Sequence, residues 1–319
     1  MSRRVLVTGG AGFIGSHIVE ALLAQGWEVE VLDDLSAGSP ANLPPDVPLH
    51  RGDLRSTQAL GRLTGRFEAV IHCAGQTSVA VSVRRPDLDW QVNVLGTANL
   101  LLWAAAREAG RFVFLSSGGA IYGETPRPAR EDCPPRSLSP YGRHKLLAEM
   151  LVRASGLPHA VLRPANVYGP RQRAGAEGGV VPTFLRRLFS GRELEVHGDG
   201  LQQRDFVHVA DVAAAAALAL RWPRDVTWNV ATGKAVTVLE LAHLLGRLLG
   251  LEPRLRFLPP RPGDVRRSVL DPSLLLSTGR WGPPLPLEEG LRHLAAAQAG
   301  PSYPEPRPAA AQKAPPGGR

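Results

Sequence analysis

The glycine-rich segment TGGAGFIGSH, residues 8–17, constrains the fold of this chain more than any other feature. The apolar run Val5-Leu6-Val7 precedes it, and apolar residues at helical spacing follow it. This order predicts a buried strand, a tight turn and the start of a helix. Gly9, Gly12 and Gly15 would let the backbone approach a pyrophosphate, whose charge the N–H groups and dipole of the helix stabilise. The segment therefore predicts a nucleotide-binding turn, and a purely structural turn is the alternative.

Acidic residues at the end of the second apolar run indicate which nucleotide is bound. The run spans residues 28–32 and leads into Asp33-Asp34, at the distance where a carboxylate meets the adenosine ribose. A carboxylate at this strand end would repel the 2′-phosphate of NADP. We therefore predict NAD as the cofactor.

Composition and charge argue against several other classes of protein. Hydrophobic residues make up 44% of the 319-residue chain and charged residues 21%, which is typical of a soluble globular protein. The sequence shows no signal peptide and no long apolar segment, so we predict a cytoplasmic protein with no membrane partner. The formal charge of +8 comes from scattered arginines, so no nucleic-acid partner is predicted. Cys73 and Cys133 lack C-x-x-C spacing, which favours free thiols and no metal site.

The first half of the chain alternates apolar strand patterns with helical patterns. This alternation predicts an α/β fold built on a doubly wound parallel sheet, with ligands at the carboxyl ends of the strands. The predicted strands are 4–8, 28–33, 47–51, 68–73, 111–117 and 159–163, and the predicted helices are 13–25, 56–64, 87–109 and 139–155.

Polar and small residues follow several of these predicted strands. Asp53 is expected either to accept a hydrogen bond from the adenine amino group or to cap the next helix. Ala74 and Gly75 would let a dinucleotide lie against the backbone, whereas His72 falls inside an apolar run and is interpreted as a packed histidine. Asn93, in the predicted long helix, is expected either to bond a backbone carbonyl or to reach the cofactor.

The segment SPYGRHK, residues 139–145, supplies the candidate catalytic groups. Tyr141 and Lys145 are spaced i, i+4 and would share one face of a helix. An ammonium near a phenol favours the phenolate, which would make the tyrosine a base near neutral pH. The alternative is a surface Tyr–Lys pair. Against it, Lys145 is the only lysine before Lys234 in a chain that otherwise uses arginine.

The chain resembles the extended short-chain dehydrogenase/reductases, and among them the NAD-dependent nucleotide-sugar epimerases of the UDP-glucose 4-epimerase type. The resemblance spans about residues 3–298. It is carried by TGGAGFIGSH, Asp33-Asp34, GDL at 52–54, HCAG at 72–75, SSGGAIYG at 116–123 and YGRHK at 141–145.

The resemblance implies two domains and a homodimer. A Rossmann domain would comprise residues 1–165, with segments near 205–235 returning to it, and a smaller C-terminal α/β domain at 166–298 would bind the nucleotide sugar. The dimer would form through helices near 87–109 and 139–155. The Pro- and Ala-rich residues 299–319 are predicted to be disordered from their composition alone.

The resemblance also implies roles for individual residues. The catalytic residues would be Tyr141, Lys145 and a hydroxyl partner. The usual position of that hydroxyl is Gly118 in this chain, so the role is assigned to Ser117, with Ser116 or a water molecule as alternatives. The implied cofactor-binding residues are Gly9, Gly12, Phe13, Ile14, Gly15, Asp33, Asp34, Asp53, Leu54, Ala74, Gly75, Gln76, Asn93, Ser116, Tyr141, Lys145 and Pro164.

The second half of the chain contains the motifs expected to bind a nucleotide sugar. Arg204 and Arg261 would bind the diphosphate, for which a planar guanidinium is suited. A small residue at 268 is expected to tolerate N-acetylated sugars, which a bulky one excludes in this family. The implied substrate-binding residues are Asn166 at the diphosphate, Val180 at the uracil wall, Arg204, Arg261, Asp264 at the uridine ribose, and Ser268.

The reaction implied is epimerisation at C4 of a nucleotide-activated hexose, UDP-glucose or UDP-galactose, through a transient 4-keto sugar. The small residue at 268 extends the expected substrates to the N-acetyl forms. The T-D-E-x-Y-G pattern of 4,6-dehydratases is absent, because Gly118-Gly119-Ala120 supplies neither an acid nor a base. The alternatives are another nucleotide-sugar enzyme on the same scaffold (a decarboxylase, a dehydratase or a different epimerase) and a non-catalytic NAD-binding module.

Overall fold

The computed structural model describes residues 3–174, 179–260 and 264–299. Its strands are β1 (Arg4–Thr8), β2 (Glu28–Asp33), β3 (Leu49–Arg51), β4 (Ala69–His72), β5 (Arg111–Leu115), β6 (His159–Pro164), β7 (Asn166–Tyr168), β8 (Leu194–His197), β9 (Gln203–Arg204), β10 (Phe206–His208), β11 (Val226–Val230), β12 (Val236–Thr237), β13 (Leu255–Leu258) and β14 (Arg267–Ser268). Its α-helices are α1 (Phe13–Leu23), α2 (Thr57–Gly61), α3 (Val79–Arg84), α4 (Pro86–Trp90), α5 (Gly96–Ala106), α6 (Gly118–Ile121), α7 (Pro140–Ala154), α8 (Val180–Phe189), α9 (Val209–Leu220), α10 (Val238–Leu249), α11 (Ser273–Leu276) and α12 (Leu287–Ala299).

A seven-stranded parallel sheet organises the molecule, in the order β11-β6-β5-β4-β1-β2-β3. All residues of β4 and β5 are buried. Strands that are covered on both faces read as continuous apolar runs, which is why the sequence pattern reveals them. The predicted doubly wound parallel sheet is therefore confirmed, and its strands end at one common edge.

Helices cover both faces of this sheet. On one face α1 and α9 pack against Val5 and Val7 of β1. On the other face α5 and α7 pack with Leu6 and Phe112. Successive residues of a strand point to opposite faces, so Leu6 lies in a different core from its neighbours.

A third apolar core lies in the second half of the chain. It joins α8, α10 and α12 through Phe184, Leu241 and Leu291. The segment 205–235 contributes α9 and β11, and β11 lies at the edge of the large sheet. The domain division at residues 165 and 166 stays a prediction. The predicted disordered tail, 299–319, lies outside the described residues except for Ala299, where α12 ends.

The predicted single helix 87–109 is interrupted in the structure. Helix α4 begins with Pro86 at its first turn, a π-helical turn follows at Gln91–Leu95, and α5 continues from Gly96. The Thr97 hydroxyl donates to the carbonyl oxygen of Asn93 at 2.7 Å, within this widened turn. Side-chain bonding to helix carbonyls and π-helical turns both occur where a helix deviates from regularity, often at functional sites.

Within the described residues we find no helix with both the length and the hydropathy needed to cross a membrane.

Candidate active site

The glycine turn packs closely against the end of β4. Gly9 has a φ of +69°, and a Cβ there would lie 2.5 Å from the backbone nitrogen of Ala74. A Cβ at Gly15 would overlap the carbonyl oxygen of Gly9. Gly12, the N-cap of α1, makes no side-chain cap hydrogen bond, so the first N–H groups of α1, from Phe13 onward, remain available. Such a helix end, with glycine-lined access, suits a pyrophosphate.

Asp33 at the end of β2 holds this turn in place. Its Oδ2 accepts from the Ala11 N–H at 3.0 Å, and its Oδ1 accepts from the Leu35 N–H at 2.8 Å. Burial raises the pKa of the Asp33 carboxyl, and the two N–H donors oppose that rise. The neighbouring Asp34 is exposed and accepts from the Ser36 hydroxyl at 2.6 Å.

Asp53 does not cap a helix in the structure. Its carboxylate accepts from the backbone N–H and the Nε of Arg55, both at 2.8 Å, and this guanidinium lowers the pKa of the carboxyl. Helix α2 begins later, with Ser56 as its N-cap. Of the two interpretations, helix capping is therefore wrong, and the adenine contact stays a prediction. Leu54 is buried in the core beside α5.

His72 is a packed histidine, as the sequence predicted. Its Nδ1 lies 2.8 Å from the Thr8 hydroxyl oxygen and its Nε2 lies 2.9 Å from that of Thr97. Burial lowers the pKa of His72 to about 3, and burial raises the pKa of the adjacent Cys73 thiol to about 12. Both side chains are therefore neutral and take no part in proton transfer near pH 7.

Asn93 presents an unused acceptor at the end of β4. A Cβ at Gly75 would lie 2.7 Å from the Asn93 Oδ1, and this buried oxygen has no hydrogen-bond partner among the described residues. A buried acceptor without a partner is rare and fits a donor on a bound ligand. The Gln76 side chain is occupied instead, because its Nε2 donates to the Asp89 Oδ1 at 2.5 Å and to the Ser78 carbonyl oxygen at 2.9 Å.

Helix α7 brings the candidate catalytic residues to the carboxyl edge of the sheet. It begins at Pro140, and the Ser139 side chain caps it by accepting from the Gly142 N–H at 3.2 Å. Tyr141 and Lys145 are both buried on its inner face. The Lys145 Nζ donates to the Leu115 carbonyl oxygen at 2.8 Å, and Ser117 acts on the Tyr141 phenol, where it opposes the rise in pKa that burial causes.

The charges of this pair differ from the sequence-based prediction. Burial raises the pKa of Tyr141 to about 12, and the Ser117 hydrogen bond only partly opposes that rise. Burial lowers the pKa of Lys145 to about 8. The Lys145 ammonium donates its hydrogen bond to the Leu115 carbonyl oxygen. A phenolate at Tyr141 therefore needs positive charge beyond what these residues supply.

Leu270 explains why a glycine stands where the family has a hydroxyl. A Cβ at Gly118 would overlap Leu270 Cδ1 and would lie 3.1 Å from the Arg163 carbonyl oxygen. A Cβ at Gly119 would lie 3.8 Å from the Ser268 hydroxyl oxygen, so there is room on that side. The remaining hydroxyl next to Tyr141 belongs to Ser117, since Ser116 donates to the Glu149 Oε1 at 2.6 Å.

The structure brings three of the predicted substrate-binding residues together. Arg204 on β9 forms an ion pair with Asp264, and Ser268 of β14 is the register partner of Arg204. The Asn166 amide, two residues after the end of β6 at Pro164, donates to the Asp205 carbonyl oxygen at 3.0 Å. Val180 begins α8 and is half-buried. The predicted Arg261 lies outside the described residues.

Sequence reasoning missed two buried carboxylates, Glu149 on the catalytic helix α7 and Asp89 on the neighbouring α4. Glu149, one turn after Lys145, accepts from the Arg163 Nε at 2.9 Å and the Arg163 Nη2 at 2.6 Å. Asp89 accepts from the His144 Nδ1 at 2.5 Å. The i+4 spacing of Glu149 from Lys145 was a visible signal that both side chains share one face of α7.

In the part of the chain that the structure describes, no group of three or more His, Cys, Asp or Glu side chains is arranged to hold a metal ion.

Comparison with known proteins identifies relatives over nearly the whole chain. The UDP-glucose 4-epimerase of Thermus thermophilus, solved in complex with NAD, is 44% identical, with a TM-score of 0.89 over 93% of this chain and 99% of that one. The Thermotoga maritima enzyme, solved with UDP-glucose, is 41% identical, with a TM-score of 0.88 over 92% and 97%. The Mycolicibacterium smegmatis UDP-glucose 4-epimerase is 39% identical over 90% of this chain and 96% of its own. Residues 5–231 match the family model, and the chain belongs to the NAD-dependent epimerase/dehydratase family.

Proposed function

We propose that this protein is an NAD-dependent UDP-glucose 4-epimerase, which interconverts UDP-glucose and UDP-galactose. The observation that carries the proposal is the buried Tyr141 side chain, which lies one helical turn from the buried Lys145 on α7. It stands at the edge of the sheet where a parallel α/β fold binds its ligands. Relatives of this name at 39–44% identity support the same activity.

The residues around the glycine turn fit NAD. Gly9, Gly12 and Gly15 with the start of α1 would hold the pyrophosphate, and Asp33 would accept from the adenosine ribose. The unpartnered Asn93 Oδ1 would accept from a donor near the nicotinamide end. The other residues that we assign to NAD binding are Phe13, Ile14, Asp34, Asp53, Leu54, Ala74, Gly75, Gln76, Ser116, Lys145 and Pro164. When bound, oxidised NAD supplies a hydride acceptor and the positive charge that the phenol of Tyr141 needs.

Tyr141 acts as the base and then as the acid. It takes the proton from O4 of the hexose as C4 is oxidised, and it returns a proton to O4 when hydride is added to the opposite face of the 4-keto sugar. Ser117 orients the phenol and offers a hydroxyl to O4. Lys145, held at Leu115, orients ligand hydroxyls next to the tyrosine and keeps positive charge in the site. The net reaction is an isomerisation.

Inversion at C4 requires that the sugar turn while the nucleotide stays bound. Residues of the second half of the chain, 166–298, would bind the nucleotide, with Arg204, Asn166 and Arg261 at the diphosphate and Asp264 at the uridine ribose. Val180 would border the uracil. Near the hexose, Gly119 has no side chain, which leaves room for that rotation.

Product analysis tests this function. The purified protein, incubated with UDP-galactose and no added reductant, is expected to form UDP-glucose that proton NMR identifies directly. A 4,6-dehydratase would instead form a 4-keto-6-deoxy sugar, for which the backbone of Gly118 and Gly119 and the methyl group of Ala120 offer no acid or base. Recovery of unchanged UDP-galactose at saturating NAD would contradict the proposal.

Ser268 extends the proposal to N-acetylated sugars. Its small side chain lies beside the open space at Gly119 and leaves room for an acetamido group. We expect UDP-N-acetylglucosamine to be epimerised as well, measured in the same NMR assay. Turnover of UDP-glucose without any turnover of the acetamido sugar would contradict this extension.

We also infer a homodimer built on α4, α5 and α7. These helices expose large apolar side chains, among them Leu102 at 72% and Met150 at 58% exposure. Exposed apolar side chains on neighbouring helices are common at subunit interfaces. Sedimentation analysis is expected to give a dimer for the protein and a monomer for the Leu102→Glu/Met150→Glu variant.

We further infer a cytoplasmic location, because Cys73 and Cys133 are both free thiols, as in reducing compartments.

A further inference from the structure

A fully buried carboxylate lies beside the catalytic pair and has no place in the mechanism above. Asp89, on α4, has 0% exposure. Its Oδ1 accepts from the Gln76 Nε2 at 2.5 Å and the Asn93 Nδ2 at 3.1 Å, and its Oδ2 accepts from the His144 Nδ1 at 2.5 Å. A buried carboxylate is costly unless such donors stabilise it, so its presence here calls for a role.

Asp89 determines which way the Asn93 amide faces. A carboxylate only accepts hydrogen bonds, so the Asn93 NH₂ must turn toward Asp89, and it also donates to the Gln76 carbonyl oxygen at 3.0 Å. The Asn93 Oδ1 then faces Gly75, where it has no partner among the described residues. The Asp89 carboxylate and the Gln76 carbonyl oxygen together hold the Asn93 amide in the orientation that presents this acceptor to the cofactor.

Asp89 also fixes the catalytic helix. His144 lies directly before Lys145 on α7 and packs edge-on against the Trp90 ring at 5.6 Å. Its bond to Asp89 joins α7 to α4, next to a second link in which the Tyr141 N–H donates to the Ser82 hydroxyl at 3.1 Å. Both links lie within one helical turn of the tyrosine and the lysine.

The charge of Asp89 acts on the same pair. Burial is the main cause of both pKa shifts; the Asp89 charge adds to the raised pKa of Tyr141 and opposes the lowering of the pKa of Lys145. His144 faces Asp89 from α7, and Gln76 and Asn93 face it as neutral amides from the end of β4 and the π-helical turn. Cys73 and Glu149 also oppose the lowering of the pKa of Lys145.

We propose that Asp89 is a positioning residue for the epimerase reaction: its carboxylate orients Asn93 toward the cofactor, fixes α7 through His144 and places a negative charge beside Tyr141 and Lys145. The inference rests on the function proposed above. Asp89 touches neither substrate nor cofactor and acts through these neighbours.

The Asp89→Asn variant tests the proposal, with Asp87→Asn as the matched control. Asp87 is on the same helix but exposed, and its carboxylate binds Arg85. Removing the Asp89 charge lowers the pKa of Tyr141, so the acid limb of the kcat–pH profile should move by about half a pH unit or more to lower pH. We expect kcat at the optimum to fall about tenfold through misplacement of α7. KM for UDP-galactose should stay within about twofold.

A second readout does not depend on turnover. A leucine at 89 accepts no hydrogen bond, so in the Asp89→Leu variant the Asn93 amide keeps only the Gln76 carbonyl oxygen and is held less firmly toward the cofactor. We expect the NAD dissociation constant, measured by calorimetry, to rise about threefold or more, as for the loss of one neutral hydrogen bond. An acid limb that stays in place, or an unchanged NAD affinity, overturns the proposal. Inactive wild-type protein would instead overturn the proposed function, and the NAD measurement would still decide the role of Asp89.

Variants of His144 keep the test decisive if Asp89→Asn does not fold. The Asn amide nitrogen occupies the place of the imidazole Nδ1, so His144→Asn retains a donor for Asp89, whereas His144→Ala does not. We expect His144→Ala to lose at least about tenfold more of kcat than His144→Asn. Equal losses in the two variants would overturn the link through His144.

Discussion

The ammonium of Lys145 and the carbonyl oxygen of Leu115 lie 2.8 Å apart, so the lysine is held by the last residue of β5 and not by Tyr141. The Nζ also lies 4.7 Å from the centre of the Phe114 ring. The lysine is therefore fixed in place before any ligand binds. Its function depends on that fixed position and on its positive charge, which is lost more easily because burial lowers the pKa of the ammonium to about 8.

The first prediction concerns this lysine. Lys145→Met keeps the apolar stem but removes the ammonium, and we expect kcat to fall about a hundredfold or more because a positioned catalytic group is lost. Lys234→Met is the matched control, since Lys234 is exposed, and it should keep full activity. Steady-state kinetics with UDP-galactose measure both. Equal activity of the two variants would exclude Lys145 from the reaction.

The second prediction concerns space at the sheet edge. Gly118→Ala forces a methyl group against Leu270 and the Arg163 carbonyl oxygen, so we expect a loss of about 1–3 kcal/mol in the free energy of unfolding. Among the described residues, a methyl group at Gly119 would contact the Ser268 hydroxyl oxygen at 3.8 Å. Apart from the gain expected from the higher helix propensity of alanine, Gly119→Ala should change the free energy of unfolding by less than about 1 kcal/mol. Urea denaturation compares the two. A larger loss of stability in Gly119→Ala than in Gly118→Ala would contradict the prediction that Leu270 and the Arg163 carbonyl oxygen limit the space at Gly118.

The third prediction concerns Arg204, which is expected to bind the diphosphate of the substrate. Arg204→Gln removes a guanidinium expected at the diphosphate, and we expect KM for UDP-galactose to rise about tenfold to a hundredfold while kcat changes little. The control is Arg266→Gln, because Arg266 is exposed and pairs with Asp199. Affinity for UDP alone, measured by calorimetry, should fall in parallel with the rise in KM. An Arg204→Gln variant that binds UDP as tightly as the wild type would contradict a role of Arg204 in nucleotide binding.

The fourth prediction concerns pH and stability. The folded pKa of His72, about 3, lies below the ordinary value of 6.5, so the unfolded chain binds more protons between these values. Stability should therefore rise with pH in this window and be lost as the pH falls below about 6.5. His72 alone would account for about 3 kcal/mol between pH 7 and pH 4. Unfolding at several pH values should show a shallower dependence for His72→Gln, and parallel curves would contradict the assignment.

Local patterns in the sequence predicted the six strands up to residue 163 and the main helices between them, including the catalytic helix α7. The buried strands are recognisable because covered parallel strands are apolar throughout, and Tyr141 and Lys145 share a face because of their spacing. Contacts between distant segments could not be predicted in this way. Leu270 fills the space at Gly118, and Asp89 reaches His144 across 55 residues of chain.

The charge of the catalytic tyrosine was likewise beyond the sequence. Spacing places an ammonium near the phenol, but it does not reveal that Leu115 takes the lysine's hydrogen bond or how strongly burial opposes ionisation. The π-helical turn in the predicted helix 87–109, beside which Thr97 bonds the Asn93 carbonyl oxygen, is a deviation that helical periodicity does not encode.

The fate of the hydrogen at C4 tests the central claim most directly. UDP-galactose deuterated at C4 is incubated with the protein in ordinary water, and the UDP-glucose formed is analysed by NMR and mass spectrometry. If hydride leaves C4, stays within the site and returns to the other face while Tyr141 handles only the O4 proton, the deuterium remains at C4 of the product. Tyr141→Phe should then slow the conversion about a hundredfold or more. Deuterium lost to water, or a Tyr141→Phe variant as fast as the wild type, would contradict the account.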